Sequence, residues 1–358
     1  MKLALLPRYG RLGASSRLRM FLYEDALRVA GLAPSSFPML GDDYLRGLYS
    51  GHADRRSVAA AYLRRLGQLR AARRADLLWI EKEALPWVPA WAEIAALPRG
   101  LPIALDYDDA VFHRYDMHRR PVVRHLLGRK LDQLMARSAL VTAGNEYLAD
   151  RARQAGAARV EIVPTVVDLA HYPIPARPEA SKSAVIGWIG SPSTWAEYMQ
   201  PMLPLLLQTA ETEGARILSV GAGQGAGPYP LLTDHPWSED SEAAMIGQMD
   251  IGIMPLTDTP WSRGKCGYKL IQYMACGLPV IASPIGVNAT IVQDGVNGFL
   301  AASPTEWQAA LRRLIQDPAL RQSMGQAGRR RVESQYSLQV WGPRLAGMLA
   351  ETAGAMGR

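Results

Sequence analysis

Cysteine is nearly absent from this chain: Cys266 and Cys276 are the only two in 358 residues. They fall at opposite ends of one expected helical segment, too far apart to bridge, which excludes a disulfide-stapled fold. Neither has cysteine or histidine companions at metal-ligand spacing, so no metal is expected. No stretch approaches the ~18 uninterrupted apolar residues of a membrane-spanning helix. The opening Met-Lys-Leu-Ala-Leu-Leu-Pro is too short for the apolar region of a signal peptide and reads as a first strand. The basic segments lack interleaved aromatics or a recognition-helix pattern, which argues against nucleic acid as a partner. These absences lead to the expectation of a metal-free, cytoplasmic chain.

What is present is the composition of a globular α/β protein, with 48% hydrophobic and 20% charged residues. Its length exceeds the roughly 250–300 residues at which a single core stops growing, so two domains are expected. The net charge of +7 is unevenly spread: residues 1–180 hold 27 Lys and Arg against 19 Asp and Glu, and residues 181–358 hold 13 against 14. Two basic runs account for the excess. Arg55, Arg56, Arg64, Arg65, Arg70, Arg73 and Arg74 form one, and Arg114, Arg119, Arg120, Arg124, Arg129, Lys130 and Arg137 the other. Both read as helices with leucine or valine between the charges, a pattern suited to an anionic membrane surface or to a solvated face.

Strand and helix patterns alternate in both halves. Strands are expected at Lys2–Leu6, Leu77–Ile80, Ile103–Leu105, Leu140–Thr142 and Val160–Val163, then at Ala184–Gly190, Arg216–Val220, Asp250–Met254, Val280–Ala282 and Gly298–Leu300. This is the rhythm of parallel, doubly wound sheets. Prolines 173, 175 and 178 interrupt it. The expected division is a first domain over residues 1–172, a linker over 173–183, a second domain over 184–335 and a C-terminal helix over 336–358 that packs back on the first domain.

Ligands of such sheets bind beyond the carboxyl ends of the strands, so the loops there carry the search. After the first strand comes Gly10–Arg17, rich in glycine and serine. Asp106, Asp108, Asp109 and His113 follow another apolar run; so much acid in one loop needs compensating partners or marks a site, unless Asp108 or Asp109 caps a helix. Gly190-Ser-Pro-Ser-Thr194 offers hydroxyls and amides to a phosphate, or is a simple helix cap. Arg263-Gly-Lys-Cys-Gly-Tyr-Lys269 is a cationic loop ahead of a helix striped by Leu270, Ile271, Met274 and Ala275, with Gly277 at its end. Amides and the positive helix end would face the same point as Arg263 and Lys265, a phosphate-binding arrangement. The glycines of Val220–Gly227 lack the spacing of a dinucleotide fingerprint, so no nicotinamide or flavin cofactor is expected there.

Lys269-Leu-Ile-Gln-Tyr-Met-Ala-Cys-Gly-Leu-Pro-Val-Ile-Ala-Ser283, continued by Ile285-Gly-Val-Asn288 and Asp294-Gly-Val-Asn-Gly-Phe-Leu300, resembles the donor-site signature of glycosyltransferase family 4. Gly10–Arg17, Thr142–Leu148, Val163–Asp168 and Ile186–Gly190 resemble its other landmarks. The resemblance implies a GT-B fold, two Rossmann-like doubly wound parallel-sheet domains facing a cleft. It also implies a nucleotide diphosphate sugar as donor, a glycan or lipid-linked acceptor, no cofactor, no metal, and transfer with retention of configuration. The donor would meet Gly190, Ser191, Ser193, Thr194, Trp237, Arg263, Lys265, Cys266, Gly267, Tyr268, Lys269 and Gln272. The acceptor side would involve Gly13, Ala14, Ser15 and Arg17, with Asp109, Asp108 and His113 orienting the reacting groups. The chain departs from the family where two glutamates usually stand, having Gly264 and Gln272. It also lacks cations after the first strand of the second domain, a charge that Arg263 and Lys265 would supply. With a basic acceptor half, peripheral attachment to the inner face of the cytoplasmic membrane is expected. A sugar-nucleotide epimerase and a non-catalytic nucleotide-sugar-binding protein stay open as alternatives.

Overall fold

A computed structural model of the chain describes residues 1–49, 55–174 and 183–354. Most of the expected linker lies outside the described residues. The chain divides into two compact units, one of residues 1–165, 264–266 and 338 onward, the other of 166–263 and 267–337. The division therefore falls between Thr165 and Val166 rather than after residue 172.

In the first unit, β1 (Lys2–Leu6), β2 (Ala33–Ser36), β3 (Leu77–Glu81), β4 (Ile103–Tyr107), β5 (Leu140–Ala143) and β6 (Val160–Ile162) form one parallel sheet in the order β2-β1-β3-β4-β5-β6. β3 is buried along its whole length, as a strand covered on both faces must be. The strand order reverses between β1 and β3, which opens a crevice at their carboxyl ends. Helix Leu338–Gly354 completes this unit, with Gly342 lying where an added Cβ would come within 2.9 Å of Ala26 Cβ.

The basic helix Arg55–Ala71 turns a stripe of Ala61, Arg65 and Leu69 inward. Arg65 is thus not a surface cation: its guanidinium donates to the carbonyls of Pro7 (2.6 Å) and Phe37 (2.7 Å), and burial pushes its pKa down to about 10. Lys130, in the second basic run, is also buried, between Glu83 (2.6 Å) and Glu93 (2.9 Å). The rest of that run is exposed around helix Pro121–Leu127, with Met117, Val122 and Leu126 in solvent.

The second unit holds β7 (Val185–Ile189), β8 (Arg216–Val220), β9 (Leu232–His235), β10 (Ile251–Met254), β11 (Val280–Ala282) and β12 (Gly298–Leu300), parallel and ordered β12-β11-β10-β7-β8-β9. Its switch point lies between β7 and β10. Helix Pro304–Gln316 starts on a capping box in which Ser303 and Glu306 bond each other's backbone, the arrangement that satisfies two otherwise orphaned amides. Among the described residues no helix is long and apolar enough to cross a membrane.

Candidate functional site

In the first unit, charged and hydroxyl groups gather where β1, β3 and β4 end. Lys82 follows β3 with φ 63°, a left-handed conformation that costs a non-glycine residue about 1–2 kcal/mol. That turn aims its ammonium at Asp108 (2.8 Å), Glu81 (3.6 Å) and the Ser15 hydroxyl (3.1 Å). Burial works against the charged lysine, but Asp108 and Glu81 outweigh it and leave the pKa raised. Glu81 accepts from the Ser16 hydroxyl (2.5 Å) and the Arg8 amide (2.8 Å), tying the loop after β1 to β3.

Asp108 and Asp109 differ in kind. Burial opposes ionisation of Asp108, yet Lys82 holds its carboxyl below the ordinary 3.8. For Asp109, burial and then the Asp108 charge raise the carboxyl above 3.8 against the pull of Lys82, Lys265 and Arg114. Among the described residues no donor bonds the Asp109 carboxyl, and neither aspartate caps a helix, since helix His113–Asp116 begins on Phe112 without a side-chain cap. Asp106 is structural: buried, it takes Arg19 in a fork (2.7 and 2.9 Å) and the Thr142 hydroxyl (2.6 Å). His113 does not present a ring nitrogen to a ligand. Nδ1 pairs with Asp116 (2.9 Å) and Nε2 with the Tyr147 hydroxyl (2.8 Å).

On the acceptor side, the helix Ala14–Arg19 begins earlier than the expected loop allowed, so Ser15 and Arg17 are helical. Gly13 is the residue before it and packs on Tyr9; Ala14 is exposed, Ser15 receives Lys82, and Arg17 is buried, donating to the Arg11 carbonyl (3.3 Å). Segment Gly264–Cys266 also belongs to this unit. Asn145 Nδ2 donates to the carbonyls of Gly264 (3.0 Å) and Lys265 (2.9 Å), and the Cys266 thiol donates to the Asp108 carbonyl (3.0 Å). Cys266 is thus an anchor in a loop, not part of a helix, and burial raises its pKa. At Gly264 a Cβ would lie 2.5 Å from Ala110 Cβ and 2.9 Å from its amide nitrogen. The glutamate of the resembled family has no room to leave the backbone here.

In the second unit, helix Tyr268–Ala275 starts on Gly267 with φ 66°, where a Cβ would also strike Ile291 Cδ1 at 2.4 Å. Lys269 lies over the Trp188 ring (5.8 Å). Arg263 and Lys265 fall in different units. Arg263 ends helix Pro260–Arg263 and is forked onto Asp258 (2.7 and 2.9 Å), while Lys265 falls in the first unit beside Asp109. Gly190–Thr194 is a cap: the Ser191 and Thr194 hydroxyls bond each other's amides, and Ser193 bonds Ser191 (3.0 Å). Gly190 itself leaves β7 with its amide on the Val220 carbonyl. Gln272 is 2% exposed and donates to the Tyr172 hydroxyl (3.0 Å), so its amide faces inward. Trp237, half-buried, donates its indole N–H to Glu242 (2.8 Å).

Sequence reasoning missed Glu81, Lys82 and Glu83, although three charges directly after an apolar strand were a signal for them. It also missed Tyr172 and Glu242, which only folding brings together.

Residues 184–317 match the family model described as Glycosyl transferases group 1. Over that stretch the chain is similar to the group 1 glycosyl transferases. Curated relatives include the D-inositol 3-phosphate glycosyltransferase of Segniliparus rotundus, 29% identical over 226 residues that make up 55% of this chain and 49% of that protein. Another is the phosphatidyl-myo-inositol mannosyltransferase of Propionibacterium freudenreichii, 24% identical over 62% of this chain and 58% of the relative. The chain thus spans about half the length of the curated relatives it matches. Among solved structures, HepE of Anabaena in complex with UDP and glucose superposes with a TM-score of 0.72 at 17% identity, over 98% of this chain and all of that one. WaaG, a glycosyltransferase involved in lipopolysaccharide biosynthesis, gives 0.68 at 13%, over 98% and 99%. These likenesses establish the GT-B fold, two Rossmann-like α/β domains.

Proposed function

We propose that this transferase moves a sugar from a nucleotide diphosphate sugar to a glycan or lipid-linked acceptor, with retention of configuration and without a metal ion. The observation that carries the reading is the match of residues 184–317 to the group 1 family in a unit whose sheet ends offer a helix start at Gly267. The printed complexes of HepE with UDP and with UDP-glucose support a nucleotide-sugar donor. Breaking the sugar–phosphate bond leaves negative charge on the diphosphate. Amides at the start of helix Tyr268–Ala275 and the Lys269 ammonium are suited to stabilise it, because fixed donors need no reorganisation as charge develops. Asp109, with its raised pKa and unbonded carboxyl, is the group suited to orient an acceptor hydroxyl; Asp108 and Lys82 hold its surroundings.

The acceptor reading draws on charge and on a relative's name. Arg119, Arg120, Arg124 and Arg129 surround exposed Met117, Val122 and Leu126, a surface fit to rest on anionic lipid, where each cation contributes about 1 kcal/mol. The mannosyltransferase relative is named for a phosphatidyl-inositol substrate. We therefore place the protein peripherally at the inner face of the cytoplasmic membrane.

The test is a thermal-unfolding screen with UDP, GDP, ADP and their glucose or mannose conjugates, followed by product analysis. A ligand at 100 times its Kd should stabilise the fold by about 2.7 kcal/mol. No shift with any nucleotide would sink the donor reading. Binding of an intact sugar nucleotide without transfer or isomerisation would leave a binding protein instead of an enzyme.

A further inference from the structure

A cavity of about 470 Å³ opens in the first unit, on the sheet face beneath helices Ala90–Ala96 and Lys130–Met135. Its floor is Ile80 of β3 with Ile103 and Leu105 of β4; Ile80 and Leu105 are register partners, and alternation along β4 puts Ile103 on the same face. Leu97 and Leu134 line its sides. β4 is an inner strand, and the faces of a parallel sheet are ordinarily covered, yet Ile103 is only half-buried. The cover stops where helix Ala90–Ala96 ends, because residues 97–102 carry Pro98 and Pro102 and lie outside helix and strand.

The polar groups leave the depth apolar and make the mouth cationic. The acid in the wall, Glu93, is spent within the protein: it pairs with Lys130 (2.9 Å) and accepts the Ala84 amide (2.7 Å). Arg99 and Arg137 stand at the mouth, both exposed. Among the described residues neither guanidinium has a hydrogen bond or an ion pair. Trp91, 74% exposed, lines the same mouth with a ring suited to a boundary between apolar and wet surroundings. A sugar or a nucleotide would need donors and acceptors along the walls. Aliphatic walls under a cationic rim fit an alkyl tail with an anionic head.

We propose that this cavity binds a fatty acid, whose chain lies over Ile80, Ile103 and Leu105 and whose carboxylate meets Arg99 and Arg137. The tail covers the uncovered floor and removes it from water, while the two cations fix which end enters first. Arg99 precedes β4, whereas Asp108 and Asp109 follow it, so the ligand leaves the crevice at the carboxyl ends free. The assignment goes beyond sugar transfer and stands whether or not a nucleotide sugar is the donor.

The experiment is calorimetric titration of the full chain at pH 8, below micelle formation, with laurate, zwitterionic dodecyldimethylamine oxide, cationic dodecyltrimethylammonium, and butyrate as a head without a tail. Laurate should saturate at one molecule per chain and bind about tenfold more tightly than the cationic amphiphile, as two exposed ion pairs can supply, and butyrate should not bind. Arg99→Ala combined with Arg137→Ala should weaken laurate by about tenfold and leave the zwitterionic amphiphile within about threefold. Ile103→Trp and Leu134→Phe, which fill the cavity from its floor and its side, should each abolish laurate binding, with thermal unfolding reporting that each variant is folded. Absence of laurate binding, uptake of many molecules per chain without saturation, or equal affinity for the anionic and cationic amphiphiles overturns the assignment in the wild type alone. Undiminished binding in the double arginine variant, or in a folded cavity-filling variant, overturns it as well.

Discussion

Asp108 and Asp109 are adjacent in sequence and opposite in energetic sign. Asp108 has a lowered pKa, so it adds stability above the ordinary 3.8 that is lost as pH falls through its folded value. Asp109 has a raised pKa, so its ionisation costs stability that accrues from pH 3.8 up to its folded value and stays in full above it. At pH 7, Asp108→Asn should therefore destabilise by about 3–5 kcal/mol, because Lys82 is left buried and under-paired. Asp109→Asn should raise the melting temperature at pH 7, lose that gain near pH 4, and still slow transfer. Melting curves from pH 4 to 8 decide this; equal signs for the two variants would refute the arrangement. The sequence made these two aspartates visible because acid crowded after an apolar run needs an explanation. It hid Lys82, since Glu-Lys-Glu after a strand reads as solvated charge, and only the left-handed turn at Lys82 sends the ammonium back into the crevice. His113 was misread for the complementary reason: its partners Asp116 and Tyr147 lie on other turns and helices, and spacing alone does not reveal that both ring nitrogens are taken.

At the level of elements, the start of helix Tyr268–Ala275 depends on one backbone conformation. Gly267→Ala should cost about 1–2 kcal/mol for the left-handed φ, with a further cost from the contact with Ile291. Scanning calorimetry should show the lower melting temperature, and nucleotide-induced stabilisation should shrink with it; an unchanged nucleotide response would separate this helix start from the donor. The glycine, the apolar stripe and the following strand were legible because local propensity and burial agree there. The two strands that sequence reasoning missed, β2 and β9, are both sheet edges. Ala-Pro-Ser-Ser and Leu-Thr-Asp-His carry little β-branched or apolar character, and a proline is tolerated at an edge where one side of the ladder is open. Their strand character comes from the neighbour, β1 or β8, and is absent from their own residues.

For the whole molecule, the charge asymmetry of the sequence is only partly a surface property. Arg65 and Lys130 are spent inside the first unit, the one on backbone carbonyls and the other on Glu83 and Glu93. What remains outside lies in both basic runs, at Arg56, Arg64, Arg70, Arg73 and Arg74 and again at Arg119, Arg120, Arg124 and Arg129, the latter on the stretch that exposes Val122 and Leu126. Val122→Asp combined with Leu126→Asp should weaken sedimentation with vesicles rich in phosphatidylglycerol by tenfold or more, leave nucleotide affinity unchanged, and leave the weaker signal with neutral vesicles where it was. Equal binding of wild type to anionic and neutral vesicles would refute the membrane role of this face.

Helix Leu338–Gly354 gives the architecture an order in time as well as in space. It packs Gly342 against Ala26 in the first unit, yet it is encoded after the whole of the second. On the ribosome the first unit is begun first and finished last. Its surface around Ala26 waits uncovered while the entire second sheet is synthesised, and transiently exposed apolar surface of that kind is what makes folding intermediates prone to association.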